Sequence, residues 1–262
     1  MATFAKYVSE TELQNMGSES QEGLTALEEE EPTVLEKYVQ PCVAELLGST
    51  FFIFSGCLSV LVNPHNAGPL LPALVHGFTL ASVISVLGNV SGGHFNPAVT
   101  LSVVICGGLT PILLVPYWVC QLSGGMLGAL LAKGLADQES FINHTGAACM
   151  IDSGDLMARA VGVEIVFSFL LIFTVVMGAV GELSKTPLAP YSIAFVLTAG
   201  ILSGGNISGS CLNPARALGP AVVANYWDYH WVYWVGPLAG ALLVSLLYRF
   251  ILAGRSHRLF LK

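Results

Sequence analysis

The sequence predicts an all-α membrane protein, six transmembrane helices plus two re-entrant half-helices in an inverted repeat, and three observations carry that prediction. First, apolar residues make up 54% of the 262 and charged residues only 10%, with a mean hydropathy of +0.70; this is not the balance of a water-soluble domain. Second, six apolar stretches reach the ~20 residues needed to cross a bilayer, and two others stop at about half that length. Third, one phrase is written twice. Asn89-Val90-Ser91-Gly92-Gly93-His94-Phe95-Asn96-Pro97-Ala98 returns as Asn206-Ile207-Ser208-Gly209-Ser210-Cys211-Leu212-Asn213-Pro214-Ala215.

Residues 1–37 hold nine of the seventeen acidic residues and few aromatic or β-branched ones, the composition of a disordered acidic tail. They have no apolar core of a signal peptide and too many acids for an organellar presequence. The overall charge of −7 therefore describes this tail, and without a basic stripe nucleic acid is excluded as a partner. The spans are expected at 38–62, 70–88, 111–133, 157–180, 188–204 and 231–253, with half-length runs at 97–106 and 214–223. This divides the chain into a first repeat (38–134), a connecting loop (135–156), a second repeat (157–253) and a short tail (254–262).

The two halves correspond beyond the repeated phrase. Glu45 lies near the start of the first span and Glu164 near the start of the fourth; Tyr117-Trp118-Val119 is echoed by Tyr233-Trp234-Val235. Each half has three spans, an odd number, so the second copy must be upside down relative to the first. Lys37, Lys185, Arg249, Arg255, Arg258 and Lys262 gather on the face of the termini, against only Lys133 and Arg159 opposite. The positive-inside rule then puts both termini in the cytoplasm and the connecting loop outside, where Asn143-His144-Thr145 is a glycosylation acceptor. The triplets at Asn89 and Asn206 fall in the re-entrant phrases. Tyr117-Trp118, Tyr226-Trp227 and Tyr233-Trp234 suit the interfacial belts.

Each phrase ends a Gly/Ser stretch and opens an apolar run with Asn-Pro, the pattern of an Asn N-cap with Pro at the first helical position. Ten helical residues span ~15 Å, half of a ~30 Å hydrocarbon core, so two such stubs entering from opposite sides meet at the midplane. Non-helical backbone at that depth must be buried in protein or line a wet cavity. An N-cap asparagine spends its carbonyl oxygen on its own helix and leaves its amide free. Asn96 and Asn213 thus present two donors, backed by two positive helix ends, to a passing water oxygen. Glu45 and Glu164 are expected to accept from the otherwise unsatisfied amides of the re-entrant segments. Arg216, just inside the second stub, is a functional residue by default.

Paired Asn-Pro-Ala triplets (Asn96-Pro97-Ala98 and Asn213-Pro214-Ala215) in a six-span inverted repeat resemble the aquaporin (major intrinsic protein) family over roughly residues 38–253. That family's proton-exclusion logic is general to such pores. The resemblance implies a passive channel assembled as a homotetramer with one pore per subunit, no cofactor, and no enzymatic activity. It implies a selectivity filter of His76, Ile201, Ser210 and Arg216, where a strict water channel would have Phe, His and Cys beside the arginine. It also implies a cytoplasmic narrowing at His94. This filter is similar to that of the aquaporin-8 type and the plant tonoplast intrinsic proteins, which are associated with ammonia and hydrogen peroxide as well as water. Ala217 stands where the glycerol channels of the family have Asp. Cys211 lies one residue beyond the usual filter position, as a possible pore thiol. The six cysteines have no paired metal spacing, so no metal is implied.

Two other classes compete. Inverted repeats with broken helices also build secondary transporters, but such a protein needs a cycling ion site, and Glu45 and Glu164 are the only acids within the spans. An intramembrane enzyme would need a nucleophile and base, and Ser91 with His94 is the nearest arrangement. The expected function is passage of water and small neutral solutes, with ammonia and hydrogen peroxide as further cargo, across the lipid bilayer of the plasma membrane, with an intracellular membrane as the alternative.

Overall fold

A backbone in hydrocarbon must satisfy its own hydrogen bonds, so a long apolar run folds as helix. The computed structural model describes residues 31–64, 67–151, 154, 157–254 and 258–259; most of the expected acidic tail, and Arg255 and Lys262, lie outside them. The helices are α1 (Gln40–Leu61), α2 (Leu70–Ser91), α3 (Pro97–Cys106), α4 (Leu114–Leu135), α5 (Gln138–Asn143), α6 (Met157–Val175), α7 (Ala189–Ser208), α8 (Pro214–Ala224) and α9 (Val232–Leu247). Six are long and apolar enough to cross a membrane once their end turns are included: Leu35–Leu61, Leu70–Ser91, Pro111–Leu135, Met157–Val180, Ala189–Ser208 and Val232–Leu252. The stubs are α3 and α8, and no strand occurs among the described residues.

Two boundaries differ from the sequence reading. Spans two and five were expected to stop before the Gly/Ser stretches, but α2 continues through Asn89 to Ser91 and α7 through Asn206 to Ser208. Only Gly92 (φ 89°) and Gly209 (φ 83°) end them, as left-handed C-caps that an L side chain resists. The non-helical part of each phrase is thus five residues, 92–96 and 209–213, and Asn89 and Asn206 sit on helices.

The packing is two-fold. Helix α1 packs on α4 and α2, as α6 packs on α9 and α7, and α2 meets α7 between the halves. Each stub also packs on the last span of the other repeat, α8 on α4 and α3 on α9, which interlocks the halves. Small residues allow these close crossings. A Cβ on Gly125 would come within 2.5 Å of the Ala215 carbonyl oxygen, and one on Gly219 would overlap that of Gly125. The outer face is apolar, with Phe78, Val86, Val115 and Phe195 all more than 60% exposed, whereas Glu45, Thr100, Gln121, Glu164 and Ser208 are wholly buried. This is the distribution a lipid solvent selects.

Candidate functional site

The site is built where the stubs meet. Asn96 (φ −157°) caps α3, its Oδ1 accepting from the Ala98 amide at 2.9 Å; Asn213 caps α8, accepting from Ala215 at 2.9 Å and Arg216 at 3.3 Å. Their amides are not wholly free. Asn96 Nδ2 donates to the Leu212 carbonyl at 2.9 Å, and Asn213 Nδ2 donates to that of Phe95 at 2.9 Å. Phe95 (φ 48°) and Leu212 (φ 56°) are left-handed, and their carbonyls serve the opposite asparagine. Each amide has two hydrogens, so one ties the repeats together and one remains for the cavity.

Two buried carboxylates hold these strained segments. Glu45 Oε1 accepts from Ser91 Oγ (2.6 Å) and the His94 amide (2.9 Å); Oε2 accepts from the Phe95 amide and Gln121 Nε2, both at 2.7 Å. Glu164 repeats the pattern with Ser208 Oγ (2.7 Å), the Cys211 amide (2.8 Å) and the Leu212 amide (2.7 Å). Tyr117 and Tyr233 complete each cradle, donating to the carbonyls of Ser91 and Ser208 at 2.8 Å. Both tyrosines are buried, which corrects their assignment to the interfacial belt: the carbonyls freed where α2 and α7 end need a donor. Trp118 also turns inward, its Nε1 donating to the Pro97 carbonyl at 3.0 Å, whereas Trp227 is about half exposed.

On the side of the connecting loop, His76, Ile201, Ser210, Cys211 and Arg216 line one cavity. Arg216 is 8% exposed and donates through Nε to His76 Nε2 (3.1 Å) and through Nη1 to the Ala147 carbonyl (3.0 Å) and Cys149 Sγ (3.5 Å). Because His76 Nε2 accepts, its Nδ1 carries the proton and donates to the Pro72 carbonyl at 2.7 Å. Both ring nitrogens are committed, so the imidazole offers the cavity no free polar nitrogen. Gly56 makes room for that ring, which a Cβ would overlap. Ser210 Oγ likewise donates to the Gly200 carbonyl at 2.8 Å, leaving Arg216 as the polar side chain of this wall.

On the side of the termini, a second cavity is lined by His94, Asn96 and Asn213 among apolar Ile84, Leu171 and Ile193, and it shares Phe52, Leu197 and Cys211 with the first. Thr100 Oγ1 donates to the Asn96 carbonyl (3.1 Å) and accepts from Gln121 Nε2 (2.8 Å). The hydroxyl proton being spent, His94 Nδ1, 3.1 Å away, is the donor to it, and Nε2 keeps its lone pair. Gln121 and Thr100 thus join Glu45 to Asn96. The second repeat has Pro237 and Ala217 at the corresponding places, and Cys211 Sγ donates to the Asn213 carbonyl there at 3.4 Å.

Sequence reasoning missed Gln121, Thr100, Ala147 and Cys149. Gln121 carried a signal, a lone amide within an apolar span. Ala147 and Cys149 carried none; they reach Arg216 because α5 and the turn Thr145–Ala147 fold the loop back over α8. Asn143 is exposed at the end of α5.

An inverted repeat of spans closed around two stubs, with cavities on either side of their meeting point, defines the protein as a multi-pass membrane channel. The major intrinsic protein model matches residues 33–248, and the chain belongs to that family, the aquaporins. Aquaporin-8 of Rattus norvegicus is 56% identical over 228 residues, 87% of each chain. Aquaporin TIP1-2 of Zea mays is 38% identical, covering 82% of this chain and 87% of its own. The fold is also that of the aquaglyceroporin from Plasmodium falciparum, with a TM-score of 0.70 at 22% identity over 82% of this chain and 97% of that one.

Proposed function

We propose that this channel passes ammonia and hydrogen peroxide as well as water, and excludes protons and ions. The observation that carries the reading is the single polar wall of the loop-side cavity. Arg216 faces aliphatic Ile201, while His76 and Ser210 turn their polar atoms into the protein. A wall with few hydrogen-bonding groups relaxes the demand for water's own donor and acceptor pattern, so other small neutral molecules of similar size fit. Ions find no ligands to replace their hydration shell, and cations and protons meet the Arg216 charge and two helix N-termini. In this reading Asn96, Pro97, Ala98, Asn213, Pro214 and Ala215 form the midplane, and His94 the cytoplasmic narrowing.

The protein is further proposed to lie in the plasma membrane as a homotetramer with cytoplasmic termini, carrying a glycan on Asn143. Stopped-flow measurements on proteoliposomes, with water, ammonia, peroxide, glycerol and protons run in parallel, test the reading. Rapid passage of the first three without proton flux is expected. Accumulation of any solute driven by an ion gradient would instead identify a coupled transporter.

A further inference from the structure

The connecting loop reaches Arg216 through one strained turn, and a histidine stands at the root of that turn. Ala147, whose carbonyl accepts from Arg216 Nη1 at 3.0 Å, ends a run of three left-handed residues, Thr145 (φ 47°), Gly146 (φ 59°) and Ala147 (φ 63°). Two of the three carry a Cβ, so the run persists only where its surroundings fix it. On one side α8 does so: a Cβ on Gly146 would come within 2.6 Å of the Ala224 Cβ. On the other side is His144, whose carbonyl accepts from the Ala147 amide at 2.9 Å. Its ring Nδ1 lies 3.0 Å from the Ser140 carbonyl oxygen on α5, and Nε2 lies 3.1 Å from that of Asn63, just beyond α1. A carbonyl oxygen can only accept. A neutral imidazole has one ring N–H and can serve one of these two oxygens, whereas the imidazolium serves both. The ring of His76 differs, because Arg216 donates to one of its nitrogens.

We propose that His144 is a positioning residue for the filter, clamping the connecting loop to the turn between α1 and α2 when its ring carries both protons, and so holding the Ala147 carbonyl against Arg216. When the ring loses one proton, one nitrogen faces a carbonyl oxygen lone pair to lone pair. That tie opens and the left-handed turn relaxes. Arg216 Nη1 then loses a fixed acceptor, and the guanidinium leans into the loop-side cavity, where it holds water and slows its passage. Flux is therefore highest with the proton on and falls as pH rises. The turn Thr145–Ala147 packs on α1, α5 and α8. Among the described residues, the charges on these elements are Asp137 and Glu139 at the start of α5, Arg216 on α8, and Glu45 near the far end of α1. Lys133, before α5, sits 4.8 Å over the Phe141 ring. The described residues of the turn between α1 and α2 bring no charge.

The effect on flux rests on the channel reading; the clamp does not, and the test separates them. The full-length protein in proteoliposomes is equilibrated with one pH on both faces, over about pH 5 to 8, where histidine changes charge. Water permeability is recorded by stopped-flow. Hydrogen exchange of residues 144–149 is followed by mass in parallel, divided by that of an unstructured peptide in the same buffer. Permeability is expected to fall several-fold across the range in one titration step, with loop exchange rising in step. The variant His144→Gln keeps the Asn143-x-Thr145 triplet but cannot gain a charge, and both of its profiles should be flat. His144→Arg, a permanent cation with several donors, should keep the loop protected and the flux high throughout. His230→Gln, in the turn before α9, should titrate like the parent. A conducting parent with a flat profile in either measurement would overturn the proposal, as would a titration that survives in His144→Gln or disappears in His230→Gln. Loop exchange that titrates on His144 in a protein conducting no water at any pH would sink the channel reading instead.

Discussion

Arg216 on α8 donates through Nε to Nε2 of His76 on α2, at 3.1 Å. This bond joins the two repeats at the loop-side cavity and sets the histidine's tautomer. The chemical character of the wall is therefore a property of the pair, and replacing either residue changes what the other presents.

Replacing His76 by Phe removes the acceptor of Arg216 Nε and fills the space beside Gly56 with a bulkier ring. Ammonia permeability is expected to fall relative to water, because the wall narrows while the freed guanidinium N–H adds a donor. Paired stopped-flow traces on one vesicle preparation measure the ratio, and an unchanged ratio would remove His76 from the filter.

Arg216→Val removes the cation from this wall but keeps the cap of α8, which depends on the backbone amide and Asn213. Cation or proton leak should appear with water flux maintained. A pH-sensitive dye inside vesicles under an imposed gradient reads this out, and an intact barrier would defeat the assignment.

The two carboxylates should differ in stability effect. Glu45 accepts four hydrogen bonds and Glu164 three. Truncation leaves buried donors unpaired, so Glu45→Ala is expected to destabilise the fold by about 3 kcal/mol or more, since each orphaned group costs about 1–3 kcal/mol. Glu164→Ala should do less damage. Thermal unfolding in detergent, followed by exposure of the buried cysteines, ranks the two variants.

Thr100→Val removes the hydroxyl that links Gln121, His94 and the Asn96 carbonyl, at nearly constant volume. Water permeability should drop several-fold, with Thr100→Ser restoring it because the hydroxyl returns. Equal activity of the valine and serine variants would show that the link does not hold the cap.

At Gly219 the limit is steric. Its missing Cβ lets α8 lie against the Gly125 carbonyl on α4, and backbone facing backbone has no side chain to move aside. Gly219→Val is expected to abolish the monodisperse folded species in size-exclusion chromatography, whereas Gly134→Val, where the added Cβ meets nothing within 4 Å beyond its chain neighbours and its own helix backbone, should behave as the parent.

The amino-acid sequence by itself determined the six spans, the two stubs and the inversion. Each rests on local chemistry: run length against bilayer thickness, Asn-Pro as a helix start, and an odd number of spans in each half. The tertiary structure alone decided the ends of α2 and α7, because a Gly/Ser stretch reads as loop until a left-handed glycine shows where the helix stops. It also decided the fate of the asparagine amides, half spent on carbonyls more than a hundred residues away. Tyr117 and Tyr233 read as lipid-interface residues in one dimension and prove to be donors inside the cradle in three. The contacts of Arg216 with Ala147 and Cys149 depend on how a loop folds back over a distant half-helix. No periodicity or spacing encodes that, since the energy of such a contact comes from the burial and alignment of groups that only the assembled fold brings together.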